Sequence, residues 1–384
     1  MQRDRIYLDH AATGFPKPPE VAAEMLRYLT EVGSNVSRGS YSSAYEAEET
    51  LFSLREGLTA LFGGDDCRNT VFTSGVTAAL NQLLKGLLRP GDHVLISSLE
   101  HNAVMRPLRQ LAACGVRFDA MPCDEAGNLL FDRVEPMIRA NTRAVVCTHA
   151  SNVCGTVQPI AALGALCRRR GLLFIVDSAQ TAGRFPINME EMHIDALAFA
   201  GHKTLLGAPG VGGFLIREGL SGEMEPLIAG GTGSASHLDT MPDFMPDRFE
   251  AGTLNLPGLF GLAGALRWLE RHDPGALLRR ELQLTGRFLE GLKDIPALRI
   301  VGRNDLTDRA PVVSVTRTGG GLSELAEALD RDYGIQARVG LHCAPAAHRA
   351  LGTFPEGTLR FSFGYTNTEA EVDACLRAIS ECVR

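Results

Sequence analysis

Asp195-Ala-Leu-Ala-Phe-Ala-Gly-His-Lys-Thr204 decides the architecture. A short apolar run ends in a glycine, a histidine and a lysine, and the glycine-rich Gly207-Ala-Pro-Gly-Val-Gly-Gly213 follows. Runs of this kind, without polar alternation, are strands buried on both faces. Burial penalises an ammonium ion and lowers a lysine pKa. Lys203 at such a strand end can therefore be a neutral amine, able to attack a carbonyl or carry a proton. Alone, the stretch reads more simply as a strand-end lysine whose stem lies on apolar surface while its charge reaches water.

The same alternation repeats on both sides of it. Strands are predicted at Val71–Thr73, His93–Ser97, Phe118–Met121, Ala144–Thr148, Leu172–Val176, Asp195–Phe199 and Val211–Ile216. Between them, helices are predicted over Gly75–Leu84, Asn102–Cys114, Asp132–Ala140 and Ala161–Arg170. Apolar strands alternating with amphipathic helices give an α/β fold with a mostly parallel sheet covered on both faces. Ligands then bind beyond the carboxyl ends of the strands. The residues there are Thr73-Ser74, the Ser97–His101 loop, His149–Asn152, Asp177–Gln180 and Ala200–Lys203, and they are expected to converge.

Before this block lie the extended Tyr7-Leu-Asp-His-Ala-Ala-Thr13, a proline cluster, and helices over Val21–Leu29 and Ser43–Phe62. After it, Ile228–Gly252 shows no period, as functional loops of this length often do not. Helices follow at Pro257–Arg271 and Pro274–Leu292. Strand Pro311–Thr316, helix Ser323–Tyr333, strands Ile335–Val339 and Thr358–Ser362, and helix Thr368–Val383 complete the chain. This is an α+β pattern, expected to form a smaller C-terminal domain. The boundary is placed within Leu262–Trp268, giving a large domain of residues 15–262 and a small one of residues 1–14 and 263–384.

The 384 residues carry a net charge of −7, which argues against nonspecific binding to nucleic acid or anionic membrane. Nine cysteines are scattered with no Cys-x-x-Cys pair, so neither a zinc knuckle nor a dithiol site is expected, and no metal. The count is odd and the chain large, which disfavours a disulfide framework. No apolar run is long enough to span a bilayer. A cytoplasmic protein fits these features.

Several residues carry chemistry. Thr73-Ser-Gly-Val-Thr77, between strand and helix, offers free amides and hydroxyls to a phosphate, or is an ordinary capped helix. It is neither a Walker loop nor the Gly-x-Gly-x-x-Gly fingerprint, which disfavours a nicotinamide enzyme. Asp177, after an apolar strand, can pair with a cationic ring nitrogen or cap the next turn. Gln180 can reach a neighbouring oxygen. His101 can stack on a flat cofactor, move protons, or cap a helix. Lysine, carboxylate, ring platform and phosphate loop together are what pyridoxal phosphate requires.

Ala200-Gly-His-Lys203, Asp177-Ser-Ala-Gln180, Glu100-His101 and Phe72-Thr-Ser-Gly-Val-Thr77 resemble the motifs of class V aminotransferase-fold enzymes. Within that class the chain is similar to the cysteine desulfurases of the Nif/Suf type, from Tyr7 to Arg360 and beyond. Arg338-Val-Gly-Leu-His-Cys-Ala-Pro345 resembles the Arg-x-Gly-x-His-Cys-Ala signature of the group II enzymes, whose cysteine accepts the sulfur. The residues around Cys343 fit that part: Arg338, His342 and His348 are near in sequence, and cationic neighbours raise the thiolate fraction. The other eight cysteines read as inert.

The resemblance implies a pyridoxal 5'-phosphate-dependent transferase of the aspartate aminotransferase-like fold type I, converting L-cysteine to L-alanine. It assigns Lys203, Cys343 and His101 to catalysis. Ser74, Gly75, Val76, Thr77 and His202 would hold the phosphate, Asn152 would lie near the ring oxygen and the substrate, Asp177 would pair with the ring nitrogen, and Gln180 would also contact the cofactor. Thr253 would reach the phosphate of a neighbouring subunit, which implies a homodimer. Arg360 would fork onto the substrate carboxylate, with Asn152, Arg338 and His342 beside it. A sulfur-acceptor protein is implied as partner. A selenocysteine lyase, another class V lyase or aminotransferase, and a non-catalytic scaffold are the alternatives. Two positions depart from the pattern. Ala200 lacks a hydroxyl that relatives give to the phosphate, a hydrogen bond worth about 1.5–3 kcal/mol. Tyr41 replaces a histidine near the substrate, which bears on substrate preference.

Overall fold

The computed structural model describes residues 5–36 and 39–383; Met1–Asp4, Ser37, Arg38 and Arg384 lie outside the described residues, and with them the first residues of both the N-terminal stretch and Arg38-Gly-Ser-Tyr41. The chain opens with β1 (Ile6–Tyr7), α1 (Pro19–Arg27) and α2 (Ser42–Phe62). Proline at the first position of α1 lacks only an amide that would be unpaired anyway. Next come β2 (Thr70–Thr73), α3 (Val76–Leu87), β3 (His93–Ser97), α4 (Asn102–Ala112), β4 (Arg117–Met121) and β5 (Thr142–Thr148). Then α5 (Ile160–Arg170), β6 (Leu173–Asp177), β7 (Ala196–Ala200) and β8 (Gly212–Ile216) follow. The last third comprises α6 (Leu256–Arg271), α7 (Pro274–Leu292), β9 (Leu298–Val301), β10 (Val312–Arg317), α8 (Leu322–Tyr333), β11 (Ile335–Gln336), β12 (Arg338–Gly340), α9 (Pro345–Ala350), β13 (Thr358–Ser362) and α10 (Glu369–Val383).

Seven strands form one sheet in the order β2-β8-β7-β6-β5-β3-β4. All run parallel except β8, which is antiparallel to both neighbours. Apart from the edge strand β4, which is mostly exposed or half-buried, both faces are covered, as the apolar runs require. Leu95, Val145, Phe174 and Leu197 pack into one core, while Val94, Ile96, Val146, Ile175 and Ala198 pack into the other. Each of these leucine, valine, isoleucine and phenylalanine side chains contributes about 1.5–3 kcal/mol on burial. A second sheet, β12-β13-β10-β9, is antiparallel and sits over a separate core that includes Phe288, Val313 and Phe361. The N-terminal β1 pairs with β11, so Ile6 and Tyr7 lie against the last part of the chain.

Three expectations are corrected. The helix over Asp132–Ala140 is two single 3₁₀ turns, Phe131–Arg133 and Glu135–Met137; Pro136 has no amide to continue a helix. The strand Ile335–Val339 is two short strands in different sheets, broken at Ala337. Strand β9 was not predicted at all; its burial is only partial, so its apolar signal is weak. The Ile228–Gly252 segment holds only one 3₁₀ turn, Asp247–Phe249.

Candidate active site

Six strands end at one side of the large sheet: β2 at Thr73, β3 at Ser97, β4 at Met121, β5 at Thr148, β6 at Asp177 and β7 at Ala200. At the end of β2, Gly75 has φ +149° and starts α3. The β8 backbone passes so close that a Cβ on Gly212 would lie 2.7 Å from the Gly75 Cα. Only glycine fits there. The Val76 and Thr77 amides, first in α3, have no acceptor among the described residues, and the Ser74 and Thr77 side chains are exposed beside them. This is the donor set an anionic phosphate needs.

Asp177 is buried, and its Oδ1 accepts from the Ala179 amide at 2.9 Å, so it does cap the following turn. Burial raises its pKa, while that amide and the Lys203 charge pull the other way. Burial pushes Lys203 down to about 8; Arg360 lowers it further, and Asp177, Cys343 and Asp9 oppose. His101 caps α4 through Nδ1, which accepts from the Ala103 amide at 3.0 Å. The cap fixes the ring plane and leaves Nε2 free for other work. Burial, then Lys203, Arg106 and Arg360, push His101 down to about 4, so the ring is neutral.

Arg360, on β13, is buried and joined to Asp9 at 2.8 Å. Its Nη1 donates to the Asn152 carbonyl at 3.0 Å, and its Nε is buried with no partner. A guanidinium has five N–H donors, so this arginine still has donors to offer a carboxylate. Arg338 binds the same aspartate, Nη2 to Oδ2 at 2.7 Å. Asp9 thus orients both arginines.

Cys343 is exposed, in the turn between β12 and α9. His342 and Cys343 have φ +48° and +56°, two consecutive left-handed residues that are not glycine. Each such residue costs about 1–3 kcal/mol, so the surroundings must hold it. The Asn152 side-chain amide donates to the His342 carbonyl at 2.8 Å, and the Asn102 amide donates to the Cys343 carbonyl at 2.8 Å. The turn is therefore fastened directly beside His101. The expected cationic histidines are corrected: burial pushes His342 down to about 2 and His348 to about 4, so both rings are neutral. The cationic groups that interact electrostatically with Cys343 are Lys203 and Arg338.

The remaining residues are less tightly gathered. His202 Nδ1 meets the Thr13 hydroxyl at 3.0 Å, and burial pushes its ring to about 4. Gln180 donates its amide to the Ala11 carbonyl at 3.0 Å. Thr253 is exposed and lines a cavity of about 300 Å³ with Thr73 and Ser74 of the same chain. Tyr41 is exposed at the start of α2. Ala200 is fully buried.

Three residues were not singled out from the sequence. Asp9 lies in Tyr7–Thr13, where an acid amid apolar and small residues is itself a signal. Lys17 donates from Nζ to the His202 carbonyl at 2.6 Å, and burial lowers it to about 8. Glu100 is wholly buried one residue before His101. The free α3 amides, the buried acid Asp177, the depressed lysine and the unpartnered Arg360 Nε fit pyridoxal phosphate carrying an amino-acid substrate.

Similarity to known proteins agrees. The family described as Aminotransferase class-V matches residues 6–375. A probable cysteine desulfurase of Methanothermobacter thermautotrophicus is 31% identical over 99% of this chain and 95% of its own length. The cysteine desulfurase IscS of Vibrio cholerae is 34% identical, covering 98% and 92%. The apo cysteine desulfurase of Thermococcus onnurineus superposes with a TM-score of 0.92 at 32% identity, over 99% of this chain and 95% of that one. The Escherichia coli cysteine desulfurase CsdA, in an S-sulfonic acid form, gives 0.88 at 28% identity, over 98% and 94%. The sheet order, strand directions and these likenesses are those of fold type I enzymes that use pyridoxal phosphate. The chain belongs to the class-V aminotransferase family, among its cysteine desulfurases.

Proposed function

We propose that this protein is a pyridoxal phosphate-dependent cysteine desulfurase. It converts L-cysteine to L-alanine and takes the sulfur onto Cys343. The observation that carries the reading is the joining of two distant parts of the chain. The turn holding Cys343 is tied by the Asn102 amide to the loop after β3, next to His101, and by the Asn152 side chain to the loop after β5, the strand that pairs with β6 and its Asp177.

Lys203 is the amine that would hold the cofactor aldehyde. The α3 amides, Ser74, Thr77 and His202 would hold its phosphate. Asp177 would hold its ring nitrogen, His101 its face, and Asn152 and Gln180 its ring oxygen. When bound, the cofactor supplies an electron sink that lets the substrate Cα proton leave. The residues do the rest. Arg360, oriented by Asp9, binds the substrate carboxylate through its remaining N–H groups, with Arg338 and His342 beside it. Lys203 takes the Cα proton as a neutral amine, a form that its burial favours. The Cys343 thiolate attacks the substrate sulfur. An S–S bond forms as the Cβ–S bond breaks, and the electron pair left on carbon takes a proton. The balance is L-cysteine plus the Cys343 thiol giving L-alanine plus a Cys343 persulfide, whose outer sulfur passes to a nucleophilic acceptor.

The division into a large unit, residues 15–262, and a small unit carrying Cys343 belongs to the same proposal. So does a homodimer in which Thr253 of a second copy completes the phosphate site. Leu26, Leu29, Tyr45, Phe52 and Ile228 are exposed apolar side chains that a second copy would cover. Among the described residues no helix is long and apolar enough to cross a membrane. A reducing, cytoplasmic setting suits nine unpaired cysteines.

The test is an assay of alanine from L-cysteine, with L-selenocysteine and L-cystine in parallel. Cys343→Ala should lose turnover of cysteine. If it forms alanine as fast as wild type, the nucleophile is another group.

A further inference from the structure

Glu100 lies between the end of β3 and the His101 cap of α4, with no exposed surface. Its Oε1 accepts from the Ser97 hydroxyl at 2.5 Å and from the Thr148 amide at 2.7 Å. Its Oε2 is buried with no partner. No lysine or arginine pairs with this carboxyl among the described residues. A carboxylate stripped of water, with one bare oxygen and no counter-ion, takes up a proton instead.

The neighbours act the same way. Thr148 on β5 pairs in register with Asp177 on β6, and the Asp177 charge disfavours a second one at Glu100. Cys147 on β5 is buried and its thiol is pushed well up, so it adds no charge. Burial first, then Asp177, raise Glu100 to about 8 against the hydrogen bonds from Ser97 and Thr148.

We infer that Glu100 is a positioning residue working as a neutral acid: it fastens the His101 loop to β5 and adds no second negative charge beside Asp177. The link to His101 and Asp177 as cofactor contacts rests on the proposed function; the neutral state of the carboxyl does not. Were Glu100 ionised, two buried carboxylates would raise each other's pKa. Asp177 would then lose the ionised form that a cationic ring nitrogen needs.

The test compares the cofactor-loaded wild type with Glu100→Gln, whose amide keeps the acceptor for Ser97 and Thr148 without a charge. An unfolded glutamate ionises near 4.5 and this one near 8 when folded. Between those values the unfolded state has released a proton that the native state keeps, so wild type loses stability with rising pH through this group. The amide does not. From about pH 5 to about pH 9 the Tm difference should shift by several degrees in favour of Glu100→Gln. Near neutral pH, infrared difference spectra should show a protonated carboxylic acid in wild type that the variant lacks. A flat or opposite Tm trend, or no such band, overturns the inference.

The positioning role has its own readout. Glu100→Gln should keep kcat within about threefold, while Glu100→Ala should lose about tenfold or more with KM little changed. Equal losses in both would contradict it. If Glu100→Ala does not fold, the Gln comparison still decides. Absence of desulfurase activity in wild type would remove the functional reading and leave the Tm and infrared results standing.

Discussion

Asp9 and Arg360, separated by 351 positions in sequence, form a buried ion pair of 2.8 Å, and Arg338 grips the same carboxylate at 2.7 Å. Burial lowers the Arg360 pKa, and the Asp9 charge opposes that shift without cancelling it. The pair fixes the guanidinium and leaves its Nε without a partner; in the proposed function that donor is offered to the substrate carboxylate. Asp9→Asn should raise KM for L-cysteine about tenfold with a smaller effect on kcat. It should also lower Tm, since removing one partner of a buried pair costs about 3–5 kcal/mol. Steady-state kinetics and thermal melts check both; an unchanged KM would free Arg360 from the substrate.

Only a neutral amine attacks an aldehyde. Because burial lowers Lys203 to about 8, apoprotein should capture pyridoxal phosphate faster as pH rises through about 8 and then level off. A solvent-exposed lysine would keep gaining rate to beyond pH 10 or so. Stopped-flow absorbance against pH separates the two.

Six desolvated rings set the acid limit. Burial pushes His10, His101, His149, His202 and His348 down to about 4 and His342 to about 2. An unfolded histidine titrates near 6.5. Their folded values lie below the unfolded one, so the stability they contribute is complete above about 6.5 and is lost as pH falls toward 4. The Tm of the apoprotein should drop across that window, and less steeply in His348→Gln. A Tm independent of pH there would mean that the rings charge freely in the folded state.

Ala200 ends β7 opposite Gly212, the residue packed on Gly75 of the loop proposed to hold the phosphate. Ala200→Ser places a hydroxyl at this point with little added volume. One charge-assisted hydrogen bond of about 1.5–3 kcal/mol should slow cofactor release about tenfold or more. Dialysis against a carbonyl trap, followed by absorbance, measures it. Unchanged release would show that the position does not reach the phosphate.

Much of the large sheet was legible because its inner strands are apolar runs buried on both faces, such as Leu173–Asp177 or Ala196–Ala200. The polar residues that close these runs announced the side on which the site lies. The helix expected at Asp132–Ala140 failed on Pro136, and β9 was too exposed to show an apolar run. The Asp9 pairings and the fastening of the Cys343 turn to Asn102 and Asn152 were not legible. They join positions hundreds of residues apart, and local periodicity carries no information about such contacts. Glu100 was visible only as the neighbour of His101; its missing counter-ion is a property of the packed fold.

The central claim is that Cys343 receives the sulfur. Wild-type holoenzyme is incubated with L-cysteine carrying a heavy sulfur isotope, without acceptor, and the Cys343 peptide is examined by mass spectrometry. The expected result is one heavy sulfur atom on Cys343, lost when a thiol acceptor is added and absent in Lys203→Ala. Alanine formed in full while Cys343 stays unmodified, or the label found on another cysteine, would contradict it.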